Sequence, residues 1–184
     1  MRRIISLWFP KLPTDRFTRL MPHWRGQPFV LVAEQANRTF LYDVSRAAET
    51  LGLTPGMALS DARAAVPDIA SARADPHSDA RFLKNLLRWA TRTSPLVARS
   101  GQDGLFLDTT GCDHLYGGET AMLAGMLERL RRFGLDVRGA LCDTPGGAWA
   151  LARYGVDGMV IAPGETSDGL APLPVEALRL TPAT

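Results

Sequence analysis

Hydrophobic and polar positions change period several times along this chain, and each change marks an element. Residues 4–9 (Ile-Ile-Ser-Leu-Trp-Phe) form a short apolar run with β-branched residues in front, the pattern of a buried strand, and Pro10 and Pro13 stop it. Thr14 and Asp15 are placed to cap a short helix running to residue 20. Apolar runs at 29–32 and 39–44, joined by a polar turn at 35–38, predict a hairpin. From Ser45 the period becomes helical, with short helices expected at 45–51 and 59–66; Gly52 stands at a helix C-terminus and Pro67 ends the second helix. Ser78 is placed to cap a longer helix to about residue 93. Its apolar side is Phe82, Leu83, Leu86, Leu87 and Ala90, and Arg81, Lys84, Arg88 and Arg92 line another face.

A second hairpin is expected over 96–108, turning at 100–102. An amphipathic helix follows over 120–133, with Met122, Leu123, Met126, Leu127 and Leu130 inward and Gly134 closing it. Then come a strand at 135–141, a helix opened by Thr144-Pro145 and running to 154, and a last strand at 159–161. This alternation of strands, helices and hairpins, without internal repeats, predicts an α+β fold with a mainly antiparallel sheet. The run at 173–180 is apolar enough to pack although the chain ends at Thr184, the pattern of a domain cut from a longer protein.

Composition narrows the classes. A chain of 184 residues, 46% hydrophobic and 22% charged, excludes disorder and low-complexity scaffolds. No apolar run reaches the ~18–20 residues of a membrane span, and the first residues carry neither a long apolar segment nor a small-residue cleavage site. Two cysteines, Cys112 and Cys142, make no disulfide framework and have no ligand-spaced partners for zinc; each is expected to be a buried, inert thiol. A cytoplasmic location with no membrane partner is the expectation. The net charge of +2 does not by itself point to nucleic acid. Only Lys11 and Lys84 are lysines among the 21 basic residues. That arginine bias suits phosphate contacts, and a GC-rich genome produces it equally well.

Two stretches carry specific information. Gly52-Leu53-Thr54-Pro55-Gly56-Met57-Ala58-Leu59-Ser60-Asp61-Ala62, followed by Pro67, resembles the fingers segment of Y-family (DinB/UmuC-like) translesion DNA polymerases. Asp103-Gly104-Leu105-Phe106-Leu107-Asp108 resembles the palm hairpin motif of the same family. The order of elements agrees over nearly the whole chain. The resemblance implies a ferredoxin-like antiparallel palm sheet with helices on one face and a small fingers insertion. Palm would cover 1–26 and 76–184 and fingers 27–75, with thumb and little finger absent.

The resemblance also shows what is missing. Phosphoryl transfer in that family uses two divalent ions held by an aspartate-rich first strand and an Asp-Glu pair on the palm hairpin. Here Trp8 and Pro10 occupy the first-strand acidic positions. Asp103 remains on the hairpin, but Gly104 replaces the glutamate. An indole offers a hard cation no lone pair, and one carboxylate cannot hold two hydrated ions. The positions that contact the triphosphate align with Arg46, Glu49 and Trp149, and Glu49 would repel phosphate. No metal or other cofactor is therefore expected.

Three longer runs resemble a particular branch of the family, the ImuB-like proteins of damage-induced mutagenesis cassettes. They are residues 6–16 (Ser-Leu-Trp-Phe-Pro-Lys-Leu-Pro-Thr-Asp-Arg), 108–119 and 143–153. That resemblance implies a non-catalytic adapter in translesion synthesis. Its partners would be an ImuA-like RecA-fold protein, an error-prone DnaE-type polymerase, the sliding clamp and primer–template DNA, met mostly through regions C-terminal to this chain. Two rivals stand beside it: an active polymerase recruiting Asp15, Asp43 or Asp143 as relocated ligands, and an adapter without DNA affinity.

Other features have a plain reading and a sharper one. The stripe of Arg81, Lys84, Arg88 and Arg92 fits the solvated side of an amphipathic helix, and it also fits contact with a phosphate backbone. Asp103, Asp108, Asp113 and His114 could be read as a metal cluster. Strand alternation instead separates Asp103 from Asp108 and leaves Asp108 and Thr109 to close the strand and hold the next turn. Arg129, Arg131 and Arg132 suit a helix C-terminus. Asp143-Thr144-Pro145-Gly146-Gly147 is a capped helix start that lacks the lysine and spacing of a phosphate loop. Trp8 and Trp149 are expected to fill the space of the lost catalytic site together.

Overall fold

In the computed structural model, which describes residues 1–178, the described chain forms two compact units, Lys11–Phe82 and Met1–Pro10 with the described residues from Leu83 onward. The apolar run expected to pack at 173–180 therefore lies partly outside the described residues.

The contiguous unit begins with α1 (Leu12–Leu20). Pro13 lies in the first turn of α1, where a missing N–H costs nothing, so it opens the helix and does not merely end the strand before it. Next come β2 (Phe29–Gln35) and β3 (Arg38–Val44), an antiparallel pair. They turn through Ala36 and Asn37, both at positive φ as a two-residue hairpin loop requires. Ser45 then caps α2 (Arg46–Glu49) by accepting the Ala48 N–H, and α3 (Leu59–Ala65) follows. The loop between them is pinned to β3 by two backbone bonds, Gly56 N–H to the Leu41 carbonyl (2.7 Å) and Leu41 N–H to the Met57 carbonyl (2.8 Å). An element not expected from the sequence, β4 (Ala70–Arg73), pairs parallel with β2 and completes the order β3-β2-β4. One cluster of Val30, Leu41, Val44, Ala48, Leu53, Ala62 and Ile69 fills this unit's core.

α4 (Pro76–Ala90) runs across the boundary between the units. Its first turn is held by the Asp75 carboxylate, which accepts the Ser78 N–H at 3.0 Å, so Asp75 supplies the cap expected from Ser78.

The second unit is built on a five-stranded sheet of order β5-β6-β1-β7-β8. Its strands are β1 (Ile4–Trp8), β5 (Leu96–Ser100), β6 (Gly104–Asp108), β7 (Arg138–Cys142) and β8 (Met159–Val160). Neighbours are antiparallel except β7 and β8. The path β1-α4-β5-β6-α5-β7 with β1 in the centre is the expected α+β, ferredoxin-like arrangement, where α5 is Glu119–Arg132. Alternation sends Leu7 and Gly139 to one face, where Leu123 and Leu127 of α5 pack over them.

The other face receives Ile4, Ala140 and Cys142 and is covered at this end by α6 (Pro145–Tyr154) through Ala148, Leu151 and Ala152. The expected single helical layer is thus extended by α6, whose small residues allow it to lie close on β1 and β7. Thr144 caps α6 by accepting the Gly147 N–H at 3.1 Å. Thr144→Ala is expected to cost about 1 kcal/mol, read as a lowered urea midpoint with an unchanged slope. A short α7 (Thr166–Leu170) follows β8. Cys142 is buried as expected, whereas Cys112 is only partly so because its loop lies outside the sheet.

Candidate functional site

The end of β1 is where the sheet brings the sequence-derived positions together. Trp8 is the last residue of β1 and faces Gly104 across one strand pair and Arg138 across the other. Asp103 sits in the turn just before β6, and its carbonyl accepts the Phe9 N–H at 2.8 Å, which draws the β5–β6 turn onto the β1 end. The Trp8 indole Nε1 donates to Asp103 Oδ2 at 2.8 Å.

A residue that sequence reasoning passed over completes the group. Arg153, one turn beyond Trp149 on α6, donates to Asp103 Oδ1 at 2.9 Å. Its guanidinium carbon lies over both indoles, 5.0 Å from the Trp8 centroid and 4.4 Å from that of Trp149. Trp8 and Trp149 therefore share a cation. The spacing of Trp149 and Arg153, four apart on a helix, was the available signal. Arg153 is 11% exposed and Asp103 44%, so the ion pair has one covered partner and one reachable from solvent.

Gly104 lies in tight surroundings at the position where the palm motif of the resemblance carries a glutamate. A Cβ added to it would lie 3.0 Å from the Leu7 carbonyl oxygen and 3.0 Å from that of Ser100. Pro10 follows directly after Phe9 and contributes no polar side chain.

Asp103 and Asp108 flank β6 at opposite ends, and Asp108 Oδ1 is used locally by the Thr110 N–H and hydroxyl at 3.1 and 2.5 Å. Thr109 closes the strand by donating its N–H and hydroxyl to the Arg3 carbonyl. Among the described residues, no three His, Cys, Asp or Glu side chains come together as a metal site would require.

Asp43 and Asp143 are both engaged in structure. Asp43 Oδ2 accepts from the Thr14 N–H and hydroxyl, and Oδ1 from the Val44 N–H. Burial pushes its carboxyl up, while Lys11 and these donors pull it back. Asp143 accepts from Arg3 at 2.6 Å, the Gly164 N–H at 2.8 Å and the Thr166 hydroxyl at 3.1 Å. Asp15 lies in the first turn of α1.

In the contiguous unit, Glu49 joins two cations. Its carboxylate lies 3.3 Å from the buried Lys11 ammonium and 3.6 Å from the Arg46 guanidinium. Arg81, Lys84 and Arg88 on α4, and Arg92 just beyond it, are all exposed, and Arg81 also donates to the Ser78 hydroxyl at 3.0 Å.

Comparison with known proteins identifies the family and the fold. Over 130 residues the chain is 52% identical to Protein ImuB of Caulobacter vibrioides, in strains NA1000 / CB15N and ATCC 19089 / CIP 103742 / CB 15. The match spans 71% of this chain and 28% of the relative's length. Among solved structures, the insertion ternary complex of Dbh DNA polymerase shares the fold with a TM-score of 0.80 at 18% identity, covering 95% of this chain and 53% of that one. DinB from Sulfolobus solfataricus gives 0.78 at 18% identity, with 95% and 52% covered. No helix among the described residues is long and apolar enough to cross a membrane. With residues 10–153 matching the family profile IMS, the chain belongs to the impB/mucB/samB family.

Proposed function

We propose that this chain is a Y-family polymerase-like module of DNA-damage-induced mutagenesis that contributes binding and assembly without forming phosphodiester bonds. The observation that carries the reading is Asp103. It is the one carboxylate kept from the acidic set of the resemblance, and Trp8 and Arg153 already hold both of its oxygens. A two-ion mechanism needs several carboxylates converging on the attacking hydroxyl and the triphosphate. Here Trp8 and Gly104 stand in their places. The rival in which Asp43 or Asp143 serves as a relocated ligand is disfavoured, because each is spent on backbone and side-chain donors of its own unit.

The palm assignment of 1–26 and 76–184 and the fingers assignment of 27–75 belong to the same proposal. So do a cytoplasmic location and partners of the kinds named from the resemblance: a RecA-fold protein, an error-prone polymerase and the sliding clamp. Exposed Arg81, Lys84, Arg88 and Arg92 favour retained affinity for primer–template DNA.

The test is calorimetry of a deoxynucleoside triphosphate with Mg²⁺ or Mn²⁺. No binding heat is expected, and saturable metal-dependent heat would overturn the non-catalytic reading. DNA binding is followed in parallel against salt. A steep negative slope of log K on log salt, reduced in an Arg88→Ala,Arg92→Ala variant, supports the DNA-binding form. A flat slope leaves the adapter without DNA affinity.

A further inference from the structure

The space beside Asp103 is shaped for a planar organic cation, and the chain fills it with its own. We infer that Trp8, Trp149 and Asp103 form a guanidinium-binding slot, occupied in cis by Arg153, so that Arg153 is the resident counter-cation where the polymerase fold would place metal ions.

Three observations converge on this. The Arg153 side chain is 11% exposed, and a cation taken that far out of water needs a charged partner, which Asp103 supplies at 2.9 Å. The guanidinium carbon sits within cation–π range of two indole centroids, at 5.0 and 4.4 Å. The Trp8 indole N–H donates to the second oxygen of the same carboxylate, so one tryptophan offers a π face to the cation and an N–H to the anion.

This donor set selects for its occupant. A hard divalent ion seeks six or more oxygens and finds one carboxylate. An ammonium is compact and strongly hydrated, and gains less from stacking on two rings. The guanidinium is flat, weakly hydrated and able to donate in its plane while its faces meet aromatic carbon. The site is thereby charge-balanced without an ion from solution, and β1, the β5–β6 turn and α6 are tied through one side chain. The inference rests on the reading of the site as non-catalytic only where it says what stands in place of metal. Its test observes Arg153 directly and is independent of nucleotide binding.

In proton NMR of the natural protein, the Arg153 Nε–H and Cδ protons are expected upfield of their random-coil positions, because ring currents of both indoles shield them. They should move back towards those positions in Trp149→Leu. Random-coil positions in the natural protein would overturn the slot. Arg153→Ala is expected to lower the melting temperature. Millimolar N-methylguanidinium should restore part of the loss, whereas equimolar methylammonium should not, and adding Asp103→Asn should abolish the rescue. Equal response to the two cations, or response to neither, would overturn the proposed selectivity. Should Arg153→Ala fail to fold, the natural protein's spectrum decides alone.

Discussion

Arg3→Met is expected to cost this protein up to about 3–5 kcal/mol at neutral pH, the penalty for removing a buried cation from two partly buried carboxylates that it pairs. Arg3 lies almost out of water and joins three segments of the sheet unit. Its Nε and one terminal nitrogen reach the two Glu119 oxygens at 2.5 and 2.7 Å, and the other terminal nitrogen reaches Asp143 at 2.6 Å. It also donates to the Ile161 carbonyl at 2.5 Å. Methionine preserves much of the stem's apolar packing while removing every one of these donors.

The loss should depend on pH with a definite sign. The Gly164 N–H, assisted by Arg3 and Thr166 and opposed by burial, holds the Asp143 carboxyl below its ordinary value. Stability from such a group is fully present above the unfolded carboxyl value of about 3.9, and is lost as pH falls through the lowered folded value. Urea midpoints for the natural protein and Arg3→Met should therefore lie far apart at pH 7 and draw together below pH 4. An equal gap at both would mean that Arg3 acts through the packing of its stem, and the charge argument would fail.

The second large effect concerns repair of the lost site. Trp8→Asp with Gly104→Glu restores two acidic residues on paper, yet the pair is expected neither to regain metal-dependent nucleotide binding nor to keep the stability of the natural chain. The obstacle at 104 is backbone. The first side-chain carbon would press on the Leu7 and Ser100 carbonyl oxygens at 3.0 Å from either side, and strands that are hydrogen-bonded along their length do not yield as a flexible side chain would. Overpacking of this kind costs about 1–3 kcal/mol, and Gly104→Ala isolates that contribution. At position 8, the substitution removes the indole donor of Asp103 and one of the two rings over Arg153. A second carboxylate would then meet a guanidinium already beside it. Saturable Mg²⁺-dependent nucleotide heat in the double variant would show that the strands part readily and that Gly104 is no barrier.

Much of the fold was legible because its signals are local. The apolar run of β1, the inward stripe of α5 and the Thr144 cap of α6 each depend on residues adjacent in sequence or one turn apart. β4 was not legible, because Ala-Ser-Ala-Arg carries no β-branched or aromatic residue. That strand exists through backbone pairing with β2, with Phe29 opposite Ala70. The α4 cap moved from Ser78 to Asp75 because either side chain can serve and only the chain's path decides between them.

The site divides in the same way. Trp8, Asp103, Gly104 and Trp149 stood out as departures from a motif. Arg153 did not, since an arginine near a helix end has an ordinary explanation in the helix dipole. What singles it out is its position over a tryptophan 145 residues earlier in the chain, a relation only the folded sheet creates. Lys11 was noticed as one of two lysines and as part of the run at 6–16; its burial between Asp43 and Glu49 was likewise a property of the fold.

The central place of β1 also sets an order of events on the ribosome. The unit of Lys11–Phe82 is contiguous, so all its strands are available once Phe82 has emerged. β1 is synthesised before any of it, yet both partners, β6 and β7, come about a hundred residues or more later. β1 is thus paired only after the whole inserted unit has been made, and its apolar segment must wait unpaired while that unit acquires its structure. Such a strand is the part of a nascent chain most open to wrong pairing. Truncated nascent chains ending before β6 should accordingly protect residues 11–82 from protease while leaving residues 4–8 open.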